Sequence, residues 1–585
     1  MKLSEYRQIW CVDTEFVSQT GEHPSPVCFC AVEVRTGEQQ VVWLEGGVPS
    51  PSPIPLGAGV LYVAYSARAE LSLHLVLGWP LPVNVLDLHV EHLLRTNGQR
   101  WENCKLTTLC RQLGLPAPAE EHKAAMRDRI LKGPPFTAQE RKSILEYCLQ
   151  DAQMLLEPTR RMFENRDLAQ AVGARGEFMR VAAEAEHYGI PVDGEAYEAL
   201  RRHMPAVWRR FVVELDHCGL YEDGHFHHNR LDQLVTKHDL PWPRTDKGNL
   251  HTDKDTWADM AELVPELVGP YAELRRINSW LREGLDLQVG CDGRSRPNTF
   301  PFAQKTGRTS PSGSSIFAQP KWLRGLLKPE PGTTLFYADY SQQEPGLAGF
   351  LSSDPGLRRC YVHPSGSFYV ALMIECGAAP KEATKKTHPQ VHKDGKVLLL
   401  AISYGAGPAF VAGRLGVSLW EGKAILHRLQ KAFSVFFQWR EEVLLKAQWQ
   451  KYIESPDGWR QSIDSESNPR SVYNYPMQST GAAMTRCAAI LAAKAGLRVL
   501  VTVHDALLVE ADLVDVDALN RLQEAMATGA NLLAPDYGIC HEVESVAYPD
   551  RYTPDDPPAR QFWNKVMRVV AEEEGRDPDP WTIPE

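Results

Sequence analysis

Long apolar runs are missing from this chain of 585 residues. None reaches the roughly 18–20 residues of a bilayer span, and the first residues lack a secretion signal's apolar core, so no membrane association and a cytoplasmic setting are expected. Paired CxxC cysteines are missing too. The 12 cysteines are scattered, which argues against a zinc ribbon or a disulfide framework and fits a reducing compartment. Cys28 and Cys30 alternate along a strand-like stretch and read as small buried residues. No internal repeat is found, which excludes a solenoid. An excess of positive charge is also absent, the net charge being −11. That sign argues against blanket attraction to a polyanion, but in a large chain a local basic groove decides. Lys381 to Lys386 and His392-Lys393 with Lys396 are candidates for one, whereas Arg201-Arg202 and Arg209-Arg210 read as solvated helix faces.

What is present is carboxylate at strand ends. The length calls for several domains, since single cores rarely grow past roughly 250–300 residues. Val499 to Val503 and Ala506 to Val509 are apolar runs meeting at His504-Asp505, which predicts a β-hairpin with an acid at its tip. A second acid, Asp339, ends another apolar strand and opens Asp339-Tyr340-Ser341-Gln342-Gln343-Glu344. Two carboxylates at strand ends, far apart in sequence, are what a pair of Mg²⁺ ions needs to hold an attacking and a leaving oxygen in line. Between them Lys396 to Gly405 predicts a helix whose first turn is marked by Pro389. On that helix His392, Lys396, Leu400 and Tyr404 recur every four residues along one side. Nearer the N-terminus, Asp13 and Glu15 lie two apart on a strand, hence on one face. Tyr147 and Asp151 lie four apart on a helix, hence on one side of it.

Asp339 to Glu344, Lys396 to Gly405 and Val503 to Asp505, in that order, resemble motifs A, B and C of the family A (DNA polymerase I-like) DNA polymerases. Tyr188 to Asp193 and Thr245 to Asp253 resemble landmarks of that family's thumb. The resemblance implies a multi-domain α/β plus α+β chain: an RNase H-like exonuclease domain followed by a right-hand polymerase of palm, fingers and thumb. The expected boundaries are exonuclease 1–165, thumb 166–300, palm 301–354, fingers 355–465, palm again 466–549, and an acidic linker with a short helix at 550–585. Gly46 to Gly59 is expected to be a loop in the first of these.

The resemblance also implies roles. Asp339, Asp505 and the Tyr340 carbonyl would hold two Mg²⁺ ions, with Mn²⁺ able to substitute, and Lys396 would neutralise the triphosphate. Tyr340, Gln342, Glu344, His392, Leu400 and Tyr404 would line the nucleotide site, Glu344 as the steric gate against a ribose 2′-OH. Arg308, Arg470, Asn474, Gln478 and His504 would contact DNA, the minor groove offering acceptors at every base pair in similar places. Primer-template DNA and deoxynucleotides are the implied partners, a monomer is expected, and accessory replication proteins are left unspecified. Upstream, Asp13, Glu15, Tyr147 and Asp151 resemble the first and third motifs of the DEDD 3′→5′ exonucleases, in which four acids bind two metals and the tyrosine orients water.

Several positions depart from these patterns. The middle exonuclease acid falls at Glu70; Asp87 is the alternative, though its setting matches a structural aspartate. His392 stands where an arginine is usual, Leu400 replaces an aromatic, Gln343 an apolar residue and Ala506 a glutamate. The expectation is a working polymerase with an altered nucleotide pocket. Its compact form resembles phage replicative enzymes, some of which prefer 2-aminoadenine to adenine, and in that case it works in the host cytoplasm. The rival expectation is an exonuclease or DNA-binding factor with a decayed polymerase site.

Overall fold

A computed structural model describes residues 1–44, 51–99, 103–222, 225–282, 285–403 and 407–584. Tyr404, Gly405, part of the loop from Gly46 to Gly59 and the side chain of Leu400 lie outside the described residues. The chain divides into two compact units. The first comprises Met1–Gly189, Asn298–Pro311 and Gly332–Ser545. The second comprises Ile190–Pro297, Ser312–Pro331 and Val546–Glu585. No helix among the described residues is long and apolar enough to cross a membrane.

The first unit opens on a five-stranded sheet. Its strands are β1 (Gln8–Val17), β2 (Ser25–Glu33), β3 (Gln39–Trp43), β4 (Val60–Ala64) and β5 (Val85–Asp87), in spatial order β3-β2-β1-β4-β5. The β1–β2 and β2–β3 pairs are antiparallel, and β4 and β5 add parallel to β1. Buried Cys28 and Cys30 lie on β2, where a strand filled on both faces takes small apolar side chains. Packed around this sheet are α1 (Arg68–Val76), α2 (Leu88–Thr96), α3 (Glu120–Leu131) and α4 (Ala138–Met154). The last begins at a capping box in which Thr137 and Glu140 satisfy each other's backbone amides.

The helix α5 (Glu177–Tyr188) adds to the core of this unit. It lies beyond residue 165, yet Phe178, Met179 and Ala183 join the core that contains Trp10 and Phe29 of the N-terminal sheet. That same core runs on through Phe336, Leu507 and Val509. The expected exonuclease and palm regions therefore share one compact unit, and the next unit begins at Ile190, not at 166.

A second sheet carries the other two acids. It contains β6 (Thr333–Tyr340), followed by the helices α6 (Gln343–Ser352), α7 (Phe368–Glu375), α8 (Pro389–Ser403) and α9 (Pro469–Lys494). The chain then returns through β7 (Arg498–Val503), β8 (Ala506–Asp512), α10 (Ala518–Leu533) and β9 (His541–Ala547). The spatial order of strands is β7-β8-β6-β9. The interruption of this sheet by α6 to α9 is what brings chemically distant segments to one edge.

The second unit absorbs two stretches expected elsewhere, Ser312–Pro331 and the acidic tail. Arg551 reaches Asp193 at 2.7 Å, with side chains 5% and 9% exposed, and also donates to the Gly325 carbonyl. The tail helix Pro557–Glu574 buries Phe562, Trp563, Val566, Met567 and Val570. Its acidic end is anchored by Arg202 and His203 on Glu574. The tail is thus a packed helix, because its apolar stripe finds the long helix Gly194–Leu215, where Phe211 stacks on Phe562 at 5.4 Å.

Candidate functional site

The palm-like site is assembled by strand register. β6 and β8 pair antiparallel with Asp339 opposite Ala506, so Asp505 lies one residue beyond the partner of Asp339. The Tyr340 amide donates to the Asp505 carbonyl at 3.2 Å, closing the edge. Asp505 reaches that edge because Val503 pairs with Ala506 across a two-residue turn. His504 at that turn has φ 52°, the left-handed conformation that tight hairpins demand, and its side chain is exposed.

Asp339 Oδ1 is buried with no hydrogen-bond partner. Its carboxyl is pushed up to about 7, first by burial, then by Asp505 and by Glu542 and Glu544 of β9. Burial also raises Asp505, opposed by Arg308 and His504. An orphaned oxygen among carboxylates that repel one another fits a cation's seat. The sequence reading missed Glu542 and Glu544, although His541-Glu-Val-Glu544 alternates as a strand with one acidic face does.

Glu344 lies in the first turn of α6, and Arg308 Nη2 donates to its Oε1 at 2.7 Å. Gln342, expected at the nucleotide, has another task. It sits at φ 54° where β6 turns into α6, and its side-chain carbonyl accepts the Phe368 amide at 2.6 Å, holding the start of α7. Gln343 is buried and donates to the Gly481 carbonyl of α9 at 3.3 Å. A Cβ on Gly481 would stand 2.3 Å from the Gln343 Oε1, so the two helices approach closely only over glycine. Ala506 is fully buried. Two of the four departures from the motif patterns are therefore buried in packing contacts.

The helices α7 and α8 form the opposing wall. A Cβ on Gly395 would stand 2.5 Å from the Tyr369 carbonyl, so α8 lies on α7 through that glycine. Lys396 is exposed on α8. His392 does not replace the expected cation. Its Nδ1 lies 2.7 Å from Ser367 Oγ, and burial, followed by Lys385 and Lys396, lowers its pKa and favours the neutral ring. Tyr369, missed in the sequence, packs edge-on to His392 at 5.2 Å. Its hydroxyl is pushed up to about 12 by burial, then by Glu344 and Asp505. Arg470, Asn474 and Gln478 recur every fourth residue along α9, exposed, buried and half-buried in turn.

In the N-terminal sheet Asp13 and Glu15 face the same side of β1, with a register shift directly after Glu15. Glu70 of α1 and Asp151 of α4 join them, and each of Glu15, Glu70 and Asp151 raises the already burial-raised pKa of Asp13. Burial, then Asp151, lifts Glu15 to about 8. Tyr147 is one turn before Asp151, its hydroxyl raised by burial and then by Asp151, Glu15 and Asp13. Asp87 is committed elsewhere: its carboxylate accepts the amides of Ser66, Ala67, His89 and Val90, capping α2. Glu70 Oε2 and Asp13 Oδ2 are buried without hydrogen-bond partners. The acids gather, but Asp151 accepts a 2.8 Å bond from Lys123 of α3. Among the described residues, no three His, Cys, Asp or Glu side chains are arranged to hold a metal ion. A cavity of about 940 Å³ in the second unit, lined by Trp208, Tyr221, Phe226 and Arg275 among others, includes none of these acids.

The family model "DNA polymerase family A" matches residues 228–536, and the chain belongs to that family. It is similar to DNA polymerase I of Aquifex aeolicus, 26% identical over 396 residues covering 65% of this chain and 66% of that protein. It is also similar to the thermostable DNA polymerase I of Thermus aquaticus, 26% identical over 383 residues, 60% of this chain and 45% of that protein. A DNA polymerase of Mycobacterium phage D29 is 27% identical over 259 residues, 42% of this chain and 41% of its own length. The chain thus matches just under two thirds of the Aquifex relative and less than half of the Thermus one. In fold it resembles the POL domain of Pol1 from M. smegmatis, solved in complex with DNA primer-template and dNTP, with a TM-score of 0.69 and 20% identity over 92% of this chain and 95% of that one.

Proposed function

We propose that this chain is a DNA-templated DNA polymerase that adds deoxynucleotides to a primer 3′ end. The observation that carries the reading is the register placing Asp339 beside Asp505. In the reaction the primer 3′-oxygen attacks the α-phosphorus, and the bond from that phosphorus to the pyrophosphate oxygen breaks. Such transfer needs positioning and charge neutralisation more than covalent chemistry. Two Mg²⁺ ions bound to Asp339, Asp505 and the Tyr340 carbonyl would supply that neutralisation, with Mn²⁺ able to substitute. Lys396 pairs with the triphosphate and gives a proton to the departing pyrophosphate. Glu344, held by Arg308, fills the space of a ribose 2′-OH. The family resemblance assigns Tyr404 to the base pair, and Arg470, Asn474 and Gln478 track the minor groove. Primer extension with Mg²⁺ and the four deoxynucleotides tests the reading; a chain that binds primer-template but adds no nucleotide refutes it.

The N-terminal sheet carries a second activity in this reading, 3′→5′ proofreading. Its support is the convergence of Asp13, Glu15, Glu70 and Asp151 beside Tyr147. Degradation of a single-stranded 3′ end tests it. Genome replication in a phage is the setting that a compact two-activity chain suits. A preference for 2-aminoadenine nucleotides over dATP is the finest part of this reading; with Gln343 and Ala506 buried in packing, it rests on His392 and Leu400.

A further inference from the structure

Buried ammonium groups are rare unless they are paired, because removing the charge from water costs more than a loose contact returns. Lys123 is a partly buried one, and it is paired. Its Nζ sits 2.8 Å from Asp151 Oδ2, with side chains 19% and 9% exposed, and 5.8 Å from the centre of the Tyr147 ring. It also draws Glu15 down against the burial that raises it. One half of the carboxylate cluster, Asp151 with Glu15, thus already faces a fixed cation. The other half is Asp13 and Glu70, whose Oδ2 and Oε2 are buried without hydrogen-bond partners. An ammonium and a divalent ion on the same carboxylate repel strongly at short range.

We propose that Lys123 is a resident cation of the N-terminal cluster, and that this cluster takes one divalent ion, at Asp13 and Glu70, rather than two. The assignment rests on reading this domain as a metal-dependent nuclease. It gives the longer Glu70 a reason: a single ion with one fixed neighbour tolerates a displaced carboxylate better than two ions held in register do. Nothing in the sequence marks Lys123, because a lysine in Glu120-Glu121-His122-Lys123 reads as part of a solvated charged helix.

The test counts ions on the full chain by Mn²⁺ titration, following the electron paramagnetic resonance signal of free Mn²⁺ without DNA or nucleotide. Asp339→Asn with Asp505→Asn silences the palm, and adding Asp13→Asn with Glu70→Gln provides the blank to subtract. One ion per chain is expected with Lys123 present, one with Lys123→Arg, and two with Lys123→Met. Circular dichroism melting shows whether each variant folds. Two ions on the chain that keeps Lys123, or one on folded Lys123→Met, overturns the assignment while leaving the nuclease reading in place. No ion above the blank in any variant overturns both. If Lys123→Met does not fold, the counts for Lys123 and Lys123→Arg still decide, since each must be one.

Discussion

Replacing Arg308 with alanine should weaken discrimination against ribonucleotides about fivefold without abolishing it. In the proposed site Glu344 denies volume to the 2′-OH, and Arg308 Nη2 donates to its carboxylate at 2.7 Å. The arginine side chain is 17% exposed and the glutamate 38%. With the acid open to water by more than a third, screening keeps the pair near the top of the surface range, about 1 kcal/mol, well below a buried pair. At 1.4 kcal/mol per tenfold, that is roughly a factor of five in gate placement. Arg308 is also expected to contact DNA, so kcat/KM should fall for both sugar types. The measurement is therefore the ratio of kcat/KM for dNTP to that for the matching rNTP, in single-nucleotide extension. Arg308→Lys keeps the charge but loses the planar fork and should fall in between. Glu344→Ala should lower the ratio further than either. An unchanged ratio in Arg308→Ala, with both absolute rates reduced, would show that Glu344 holds its place unaided. An unchanged ratio in Glu344→Ala would turn suspicion to Tyr369, since Tyr340 and Gln343 are already bonded to Met526 and Gly481.

Asp339→Ala and Asp505→Ala should each abolish primer extension while primer-template affinity stays within a few fold; near wild-type extension by either refutes the pairing of these acids as the reaction centre. Asp13→Ala with Glu15→Ala should remove 3′ degradation of single-stranded DNA and spare synthesis, and persistent degradation would place the nuclease elsewhere. His392→Arg should lower the dNTP KM roughly three- to tenfold, because it restores a permanent charge where burial now favours a neutral ring; an unchanged KM means the triphosphate does not reach residue 392. A pH effect is expected from His74, fully buried among Phe29, Tyr62 and Trp79 and lowered to about 4 by burial. As pH falls below the ordinary value of 6.5, the unfolded chain takes up this proton before the folded one does. Stability should therefore drop by up to about 3 kcal/mol between pH 6.5 and 4. His74→Phe should flatten that part of the profile, and an unchanged slope in chemical denaturation would assign the effect to other groups.

The palm-like acids were legible because their placement is a local matter. An apolar run ending in Asp339 and a hairpin tip at Asp505 need only the pairing of two strands, and the hydrophobic pattern sets that register. Asp13 with Glu15, and Tyr147 with Asp151, were legible for the same reason, each pair being fixed by one element's period. What stayed hidden depends on which distant element packs where. Lys123 becomes part of a site only because α3 lies within reach of Asp151. Tyr369 matters because α7 lies under α8, and the tail helix because its apolar stripe meets a helix more than 300 residues earlier in the chain. The division into compact units was hidden likewise: a helix such as Glu177–Tyr188 carries an apolar face but no record of which core will cover it.

Gln343 and Ala506 show the converse limit. Both depart from motif patterns, and departure was read as a change in nucleotide chemistry. In the fold Gln343 points at the Gly481 carbonyl, and Ala506 is the strand partner of Asp339 with no exposed surface. A glutamine beneath α6 and a glycine on α9 that leaves room for it form one adaptation, and each is uninformative without the other. At position 506 the register leaves the acidic complement of Asp339 to β9, where Glu542 and Glu544 add to the burial that raises it. A motif states which chemistry a position can supply; the side chain's direction, set by sheet register and helix packing, decides whether it supplies it. On that criterion the proposed nucleotide site departs from the usual family pattern through neutral His392 and the neighbouring Tyr369, and base or sugar selectivity should be sought there first.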